Sequence, residues 1–106
     1  NLTTKIYEAT KSFPTEEKFG LISQIRRCSV SIPSNIAEGW ARNTTKEYLR
    51  FLYISRGSIT ELETQLIIAL NLKYIDKNNF DLLAEQIKSI HMMLNKLIST
   101  LSAKLN

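Results

Sequence analysis

The chain of 106 residues contains few cysteines, glycines and prolines and no long apolar run, and each of these scarcities excludes a class of protein. A single cysteine excludes a disulfide within the chain and fits a reducing compartment. Three glycines and two prolines are too few for a turn-rich β-sandwich of this size. No apolar run approaches the ~20 residues that a membrane-spanning helix needs. The sequence therefore predicts a single domain over residues 1–106, located in the cytoplasm and without a membrane partner.

The residue types that catalyse reactions or bind metals are equally scarce. The only histidine, His91, borders an apolar seam, and Cys28 lies on an apolar stripe, so both are interpreted as parts of the core. No HExxH, CxxC, P-loop or GxGxxG pattern occurs. Lys88 stands where a dimetal four-helix bundle would have the glutamate of its Glu-x-x-His pair. The sequence thus predicts no catalytic residue, metal site, cofactor or small-molecule substrate.

Apolar residues recur at helical spacing in four segments. From Phe80 to Leu101 they are separated by alternating steps of three and four residues, the pattern of a bundle helix with one buried face. Because the connections between segments are short, neighbouring helices must run antiparallel. The predicted fold class is all-α, an up-down-up-down four-helix bundle, with helices over about 2–12, 16–38, 45–72 and 77–104.

Several residues predict how these helices begin, bend and end. Thr44 opens an S/T-x-x-E capping box, and Asp76 is the expected N-cap of the last helix. Pro33 lies inside the second helix, and the apolar spacing continues past it, which favours a kink over a helix end. Gly39 is expected to end that helix. Gly57 is interpreted as a point of close helix approach, with a tolerated weak position as the alternative.

The first helical segment is much shorter than the other three. It has only about three turns, and its partners are two to three times as long. A bundle with one short helix leaves a groove on its neighbours. We therefore expect this helix to continue upstream by about ten further residues.

The excess of positive charge lies in the central third of the chain. The net charge is +4, and residues 26–56 carry six positive charges against two acids. Arginine suits bidentate contacts with phosphate, so this segment predicts a nucleic-acid-binding face. The candidate binding residues are Arg26, Arg27, Arg42, Lys46 and Arg50.

Ion pairs within the protein are the alternative role for these arginines. Glu38 is spaced to pair with Arg42 if both are helical. One of the two adjacent arginines, at positions 26 and 27, is expected to point inward towards Glu38 or Glu63. Arg56 and Glu63 lie seven residues apart on one side of a helix and are interpreted, like Glu38, as structural ion-pairing residues.

Three bulky residues are candidates for a subunit interface. Trp40 stands at the same corner as the arginines and could either stack on a base or fill a subunit contact. Met92 and Met93 fall off the main apolar seam of the last helix. They indicate an interface, or else a wider bundle core.

The stretch from Gln24 to Gly39, QIRRCSVSIPSNIAEG, carries a specific signature, and Ile6–Pro14 precedes it. With these motifs the chain resembles the four-helix-bundle family encoded in intervening sequences of bacterial 23S ribosomal RNA genes. The resemblance implies a ring-shaped pentamer without catalytic residues, and a usual start about ten helical residues further upstream. More distantly, the chain is similar to accessory proteins of diversity-generating retroelements, which implies nucleic-acid binding through a basic surface. Lys73 departs from the family's usual glycine, so the turn after the third helix is expected to differ.

Together these observations predict a non-enzymatic, homo-oligomeric bacterial protein that binds nucleic acid, with RNA favoured, through an arginine-rich surface. The alternative is a protein-interaction scaffold whose basic residues serve subunit contacts. No sequence-specific reading of bases is indicated.

Overall fold

The computed structural model describes residues 1–105, which form four α-helices and no strand. One turn of 3₁₀ helix, Thr15–Glu17, lies between the first two helices. The molecule is elongated, with extents of 47 × 24 × 19 Å. The predicted all-α class is confirmed, and the helices are α1 Leu2–Thr10, α2 Leu21–Trp40, α3 Thr45–Asn71 and α4 Lys77–Ala103.

Each helix packs against the next one in the chain, and α4 closes the bundle against α1. Within residues 1–105 the diagonal pairs, α1 with α3 and α2 with α4, make no backbone contact. Paired contacts give the directions: Ser31 bonds to Ser58 near the middle of α2, whereas Gly39 at its end packs on Tyr48. Residue numbers therefore rise along α2 as they fall along α3, and the same inverse order links the other neighbouring helices.

One continuous apolar core fills the space between the helices, and Cys28 is part of it. Its central side chains are almost wholly buried because the stripe of each helix faces the bundle axis. These central residues are Ile6, Ile25, Leu52, Ile59, Leu62, Leu66 and Ile87.

The second helix begins later than its sequence suggests. Residues Thr15–Glu17 form the separate 3₁₀ turn, and α2 starts only at Leu21. The Glu17 carboxylate accepts from the Leu21 amide at 3.4 Å and from the Tyr74 hydroxyl at 2.9 Å. This second bond raises the pKa of Tyr74 and ties the start of α2 to the turn after α3.

The helix then runs without interruption through Pro33. A proline has no amide hydrogen, so the carbonyl of Ser29, four residues earlier, loses its usual donor. The Thr3 hydroxyl of α1 donates to that carbonyl at 3.1 Å. The freed group is therefore satisfied by a neighbouring helix rather than by the serines of α2.

The two helical glycines play the opposite of their expected roles. Gly39 does not end α2, which continues to Trp40, but is buried against α3. A Cβ atom at Gly39 would lie 2.8 Å from Tyr48 Cδ1 and 2.9 Å from Phe51 Cβ. At Gly57 a Cβ atom would meet nothing within 4 Å in the described part of the chain. The close approach of α2 and α3 therefore occurs at Gly39, because the Cα of Gly39, unlike that of Gly57, faces the backbone of a neighbouring helix.

Candidate nucleic-acid interface

Arg26 is a positioning residue for α1. Its Nε donates to Thr10 Oγ1 at 2.9 Å and its Nη2 to the Tyr7 carbonyl at 3.4 Å. The guanidinium also lies 4.6 Å from the centre of the Tyr7 ring. Arg26 meets neither Glu38 nor Glu63, because α1, and not α3, covers its side of α2. Its hydrogen-bonding capacity is therefore largely used within the protein.

Arg27 is exposed, but it lies far from the candidate residues at the turn between α2 and α3. It borders a shallow cavity of about 240 Å³ between α2 and α3, together with Ser31, Ser58 and Glu61. Arg42 lies about 22 Å further along the axis of α2, at 1.5 Å per residue. Arg27 thus belongs to the side of the bundle rather than to its end.

The remaining cations meet at the turn between α2 and α3. Arg42 Nη2 lies 2.5 Å from Glu38 Oε1, and Arg50 Nε donates to Glu47 Oε2 at 2.8 Å. Lys46, between them on α3, is exposed and makes no ion pair within residues 1–105. We call this group, Arg42, Lys46 and Arg50, the arginine corner.

A single aromatic ring organises the arginine corner. The guanidinium of Arg42 lies 4.7 Å from the centre of the Phe51 ring, and that of Arg50 lies 4.6 Å from it. Guanidinium groups stack favourably on aromatic faces. Sequence reasoning missed Phe51, although its place directly after Arg50, within the first two turns of α3, was a usable signal. Phe51 therefore holds two positive charges side by side.

The ion pairs of the arginine corner are solvent-exposed on both sides. Exposed pairs contribute about 0–1 kcal/mol each, so another anion can replace the carboxylate at small cost. Arg50 donates to Glu47 and holds the pKa of that carboxyl below its ordinary value. Three cations face two carboxylates here, so the corner keeps a positive excess.

An exposed tryptophan stands beside these charges. Trp40 is 73% exposed and meets Tyr48 edge to face, with ring centres 5.9 Å apart. The close contact of Gly39 with Tyr48 holds the end of α2 against α3 and so positions Trp40. A groove of about 660 Å³ opens on the other side of the corner, between Lys46 and Arg50 of α3 and Leu105.

Arg56 and Glu63, interpreted from the sequence as ion-pairing residues, do not pair with each other in the described residues. Arg56 Nη1 donates to Asn95 Oδ1 at 3.1 Å, and Glu63 Oε1 lies 3.7 Å from His91 Nδ1. Both side chains reach across to α4 instead. Both therefore connect α3 to α4.

The two methionines of α4 are on the surface. Met92 is 63% exposed and Met93 is 71% exposed, so the alternative of a wider core is wrong for this bundle. Nothing in the described residues covers them. They stay candidates for a subunit contact.

The thiol of Cys28 is buried in the core. Burial, together with the nearby Glu61 carboxylate, raises the pKa of Cys28 to about 11. In residues 1–105 no group of three or more His, Cys, Asp or Glu side chains is placed to hold a metal ion. Within the same residues, no helix has the length and apolar character to cross a membrane.

Comparison with known proteins finds a matching family model and a solved structure of similar fold. The model of a family described as 23S rRNA-intervening sequence protein matches residues 1–96. A solved structure of a protein with unknown function from the S23 ribosomal protein family, from Bacteroides thetaiotaomicron, is similar with a TM-score of 0.84. The two chains are 23% identical, over 92% of this chain and 91% of the other. The search of curated proteins gives no match.

Proposed function

The chain belongs to the family of 23S rRNA-intervening sequence proteins, and we propose that it is a non-enzymatic, homo-oligomeric protein that binds nucleic acid, preferentially structured RNA. The proposed binding surface is the arginine corner with Trp40. The observation that carries this proposal is the grouping of three exposed cations beside an exposed aromatic ring at one end of the bundle.

Phosphate is the ligand that the corner suits best. Arg42 and Arg50 are each paired through a single contact with an exposed carboxylate, whereas a phosphate group can accept two bonds from one guanidinium and carries more negative charge. Lys46 adds a third charge within one turn of the helix. Contacts of this kind position a protein on the nucleic-acid backbone and carry no sequence information.

Trp40 adds a preference for unpaired bases. Bases in single-stranded loops stack on aromatic side chains, whereas those of a continuous duplex are stacked on each other. Trp40 is the only tryptophan of the chain, so its fluorescence reports directly on stacking. An RNA hairpin should quench this fluorescence, and a DNA duplex of equal length should not.

The experiment is fluorescence anisotropy of a labelled RNA hairpin at low and near-physiological salt. Arg42→Gln with Lys46→Gln should weaken binding and reduce the log–log salt slope by about 2, one unit for each phosphate that the variant no longer binds. The matched control is Lys88→Gln with Lys96→Gln, which removes the same charge from exposed positions on α4. Equal weakening by both double variants would assign the binding to net charge alone. Absence of binding at low salt would overturn the proposal.

Self-association would multiply such a modest site. A single arginine corner would bind RNA weakly. Several corners on one particle would bind the same RNA with a higher overall affinity, because the first contact raises the effective concentration of the others. The family resemblance implies a ring of five subunits. Light scattering of the protein alone tests this stoichiometry, and a monomeric mass at every concentration would contradict it.

A scaffold role without nucleic acid is the second candidate. The exposure of Met92 and Met93 favours it, because adjacent exposed methionines suit an adaptable protein contact. Met92→Gln with Met93→Gln should then change the particle mass, and the wild type should bind no RNA hairpin even at low salt. Loss of RNA affinity without a change in mass would argue against this role.

A further inference from the structure

A groove beside the arginine corner runs between the start of α3 and the end of α4. It has a volume of about 660 Å³, and its walls include Leu49 and Tyr53 of α3 on one side and Ser102 and Leu105 on the other. We call it the tyrosine groove. Its size falls within the ~300–1,000 Å³ that is usual for pockets that bind small organic molecules.

The wall of the tyrosine groove is apolar and partly aromatic. Leu49 is buried at its base, whereas the side chains of Tyr53 and Leu105 are about half exposed. An aromatic ring and an aliphatic side chain are both favourably removed from water by a flat apolar ligand, and the ring also stacks on it. The groove therefore suits a planar ring.

The ring of Tyr53 is held in place from one side. The guanidinium of Arg56 lies over this ring, 5.1 Å from its centre. Arg56 is itself fixed, because its Nη1 donates to Asn95 Oδ1 of α4 at 3.1 Å. A ring that is positioned before binding loses little freedom when a ligand stacks on its open side.

The rim of the tyrosine groove is basic. Lys46, Arg50 and Tyr53 follow one another at steps of four and three residues, so they lie on one side of α3 within about 10 Å along its axis. Glu47 also lines the groove, but Arg50 donates to its carboxylate at 2.8 Å, so two cations face one anion. A ligand that joins a planar ring to a phosphate would meet both the ring and the charges. A nucleotide has this combination.

We propose that the tyrosine groove takes one unpaired base of the bound RNA, stacked on Tyr53, with the phosphate of that nucleotide held by Lys46 and Arg50. The inference rests on the proposed function and adds to it a second base site, separate from Trp40. The bases of a continuous duplex are already stacked on each other, so only a loop, a bulge or an end can place a base in the groove. The groove therefore favours structured RNA with unpaired nucleotides over a duplex.

The first experiment is a nuclear magnetic resonance titration of the full chain with adenosine 5′-monophosphate. Ribose 5-phosphate, which has no base, is the control. Both compounds carry phosphate, so both should shift the side-chain signals of Lys46 and Arg50. Only the nucleotide should shift the signals of Leu49 and of the Tyr53 ring. Equal shifts of Tyr53 with both compounds, or none with either, would overturn the inference.

The second experiment repeats the anisotropy measurement with variants of the ring. Tyr53→Leu should weaken binding of an RNA hairpin by about tenfold, the loss expected for one stacked base. The log–log salt slope should stay unchanged, because no phosphate contact is removed. Tyr53→Phe keeps the ring and should bind as the wild type does. The matched control is Phe19→Leu, which removes a ring that is 90% exposed at the opposite end of α2 and should have no effect.

A second route to the same loss keeps the test informative if Tyr53→Leu disturbs folding. Ser102→Phe fills the groove from α4 and should weaken hairpin binding equally, while the hairpin at saturation still quenches Trp40. Unchanged affinity in both variants, with the loss in Arg42→Gln with Lys46→Gln still observed, would overturn the groove and leave the proposed function in place. A wild type that binds neither the hairpin nor the mononucleotide would overturn both.

Discussion

Helices α2 and α3 touch closely from Gly39 to Ser31, whereas α1 and α4 diverge around a groove of about 710 Å³. We call the α2–α3 pair the first half of the bundle and the α1–α4 pair the second half. In the first half, the Ser55 hydroxyl is fully buried and donates to the Ile32 carbonyl at 2.9 Å. In the second half, Gln86 Oε1 is buried with no hydrogen-bond partner in the described residues. Gln65 Oε1 of α3 is likewise buried without a partner in the described residues, so the two halves differ in how closely their helices approach rather than in how well their polar groups are paired.

The groove lies along the junction of α1 with the first half of α4, between residues 5–12 and residues 74–89. The arginine corner is built on the closed half, where α2 and α3 hold its side chains at fixed spacing. The candidate site therefore depends on the rigid pair, and the open pair can move without disturbing it.

The largest effect is expected from a substitution that forces α2 and α3 apart. Gly39→Ala places a methyl group 2.8 Å from Tyr48 Cδ1 and should lower the free energy of unfolding by about 2 kcal/mol, as overpacking does. Gly57→Ala is the matched control. Its Cβ meets open space, so the better helix propensity of alanine should raise the free energy of unfolding by ~0.5–1 kcal/mol. Urea denaturation at one fixed protein concentration measures both.

Equal effects of the two glycine substitutions would mean that α2 and α3 can shift apart without cost. The rigid half would then be no more closely packed than the open one. The affinity of the arginine corner for RNA should follow the same order, with a larger loss for Gly39→Ala.

The next effect concerns the attachment of the open half. Arg26→Ala removes the bonds to Thr10 and to the Tyr7 carbonyl, and should lower the free energy of unfolding by about 1 kcal/mol. Hydrogen exchange should accelerate in α1 and stay slow in α3. Arg27→Ala, which removes an exposed arginine one position further, should change neither. Acceleration spread evenly over all four helices would show that α1 does not open separately.

A substitution in the turn between α3 and α4 should change the free energy of unfolding less, and should raise it. Lys73 ends α3 with φ of 63°, and the amides of Lys73 and Tyr74 donate to the Leu70 and Ala69 carbonyls. This is the Schellman geometry, in which glycine avoids the Cβ strain of the left-handed region. The turn therefore has the backbone geometry that glycine favours, although lysine occupies the position.

Lys73→Gly should accordingly raise the free energy of unfolding by up to about 1 kcal/mol. Lys88→Gly, in the exposed middle of α4, should lower it by about 1 kcal/mol, because glycine there only adds freedom to the unfolded chain. Thermal denaturation of the two variants gives the comparison. A loss of stability in both would indicate that Lys73 makes a compensating contact in solution.

Local patterns were sufficient to predict the architecture. The caps at Thr44 and Asp76 form as expected, with the first accepting from the Glu47 amide at 3.1 Å and the second from the Asn79 amide at 2.7 Å. Such signals involve residues three or four apart, and the apolar spacing between them is equally local. Four helices with short connections then leave little choice of topology.

Contacts between helices could not be predicted in the same way. Gly39 and Gly57 both interrupt apolar stripes, and only the position of a neighbouring backbone separates a close approach from an open place. The same limit applied to Arg26, whose partners belong to α1. Spacing along one helix gives the direction of a side chain, but it does not identify what lies opposite.

The smallest expected effect is electrostatic, and it lies at the edge of the rigid half. Arg50 lowers the pKa of the Glu47 carboxyl from its ordinary 4.5, chiefly through their hydrogen bond. A carboxyl with a lowered pKa in the folded state stabilises the protein above its unfolded-state pKa. That contribution is lost as the pH falls through the folded-state value. Because the pair is exposed, the change in stability should be slight.

The shift itself is still measurable. In Arg50→Gln the carbon resonance of the Glu47 carboxyl should titrate closer to 4.5 than in the wild type, whereas Arg56→Gln should leave it in place. Arg42 and Lys46 also lower this pKa, though less. A titration that Arg50→Gln does not move would assign the shift to these two charges instead. The pKa of Glu47 would then report on Arg42 and Lys46, two of the cations proposed to bind phosphate.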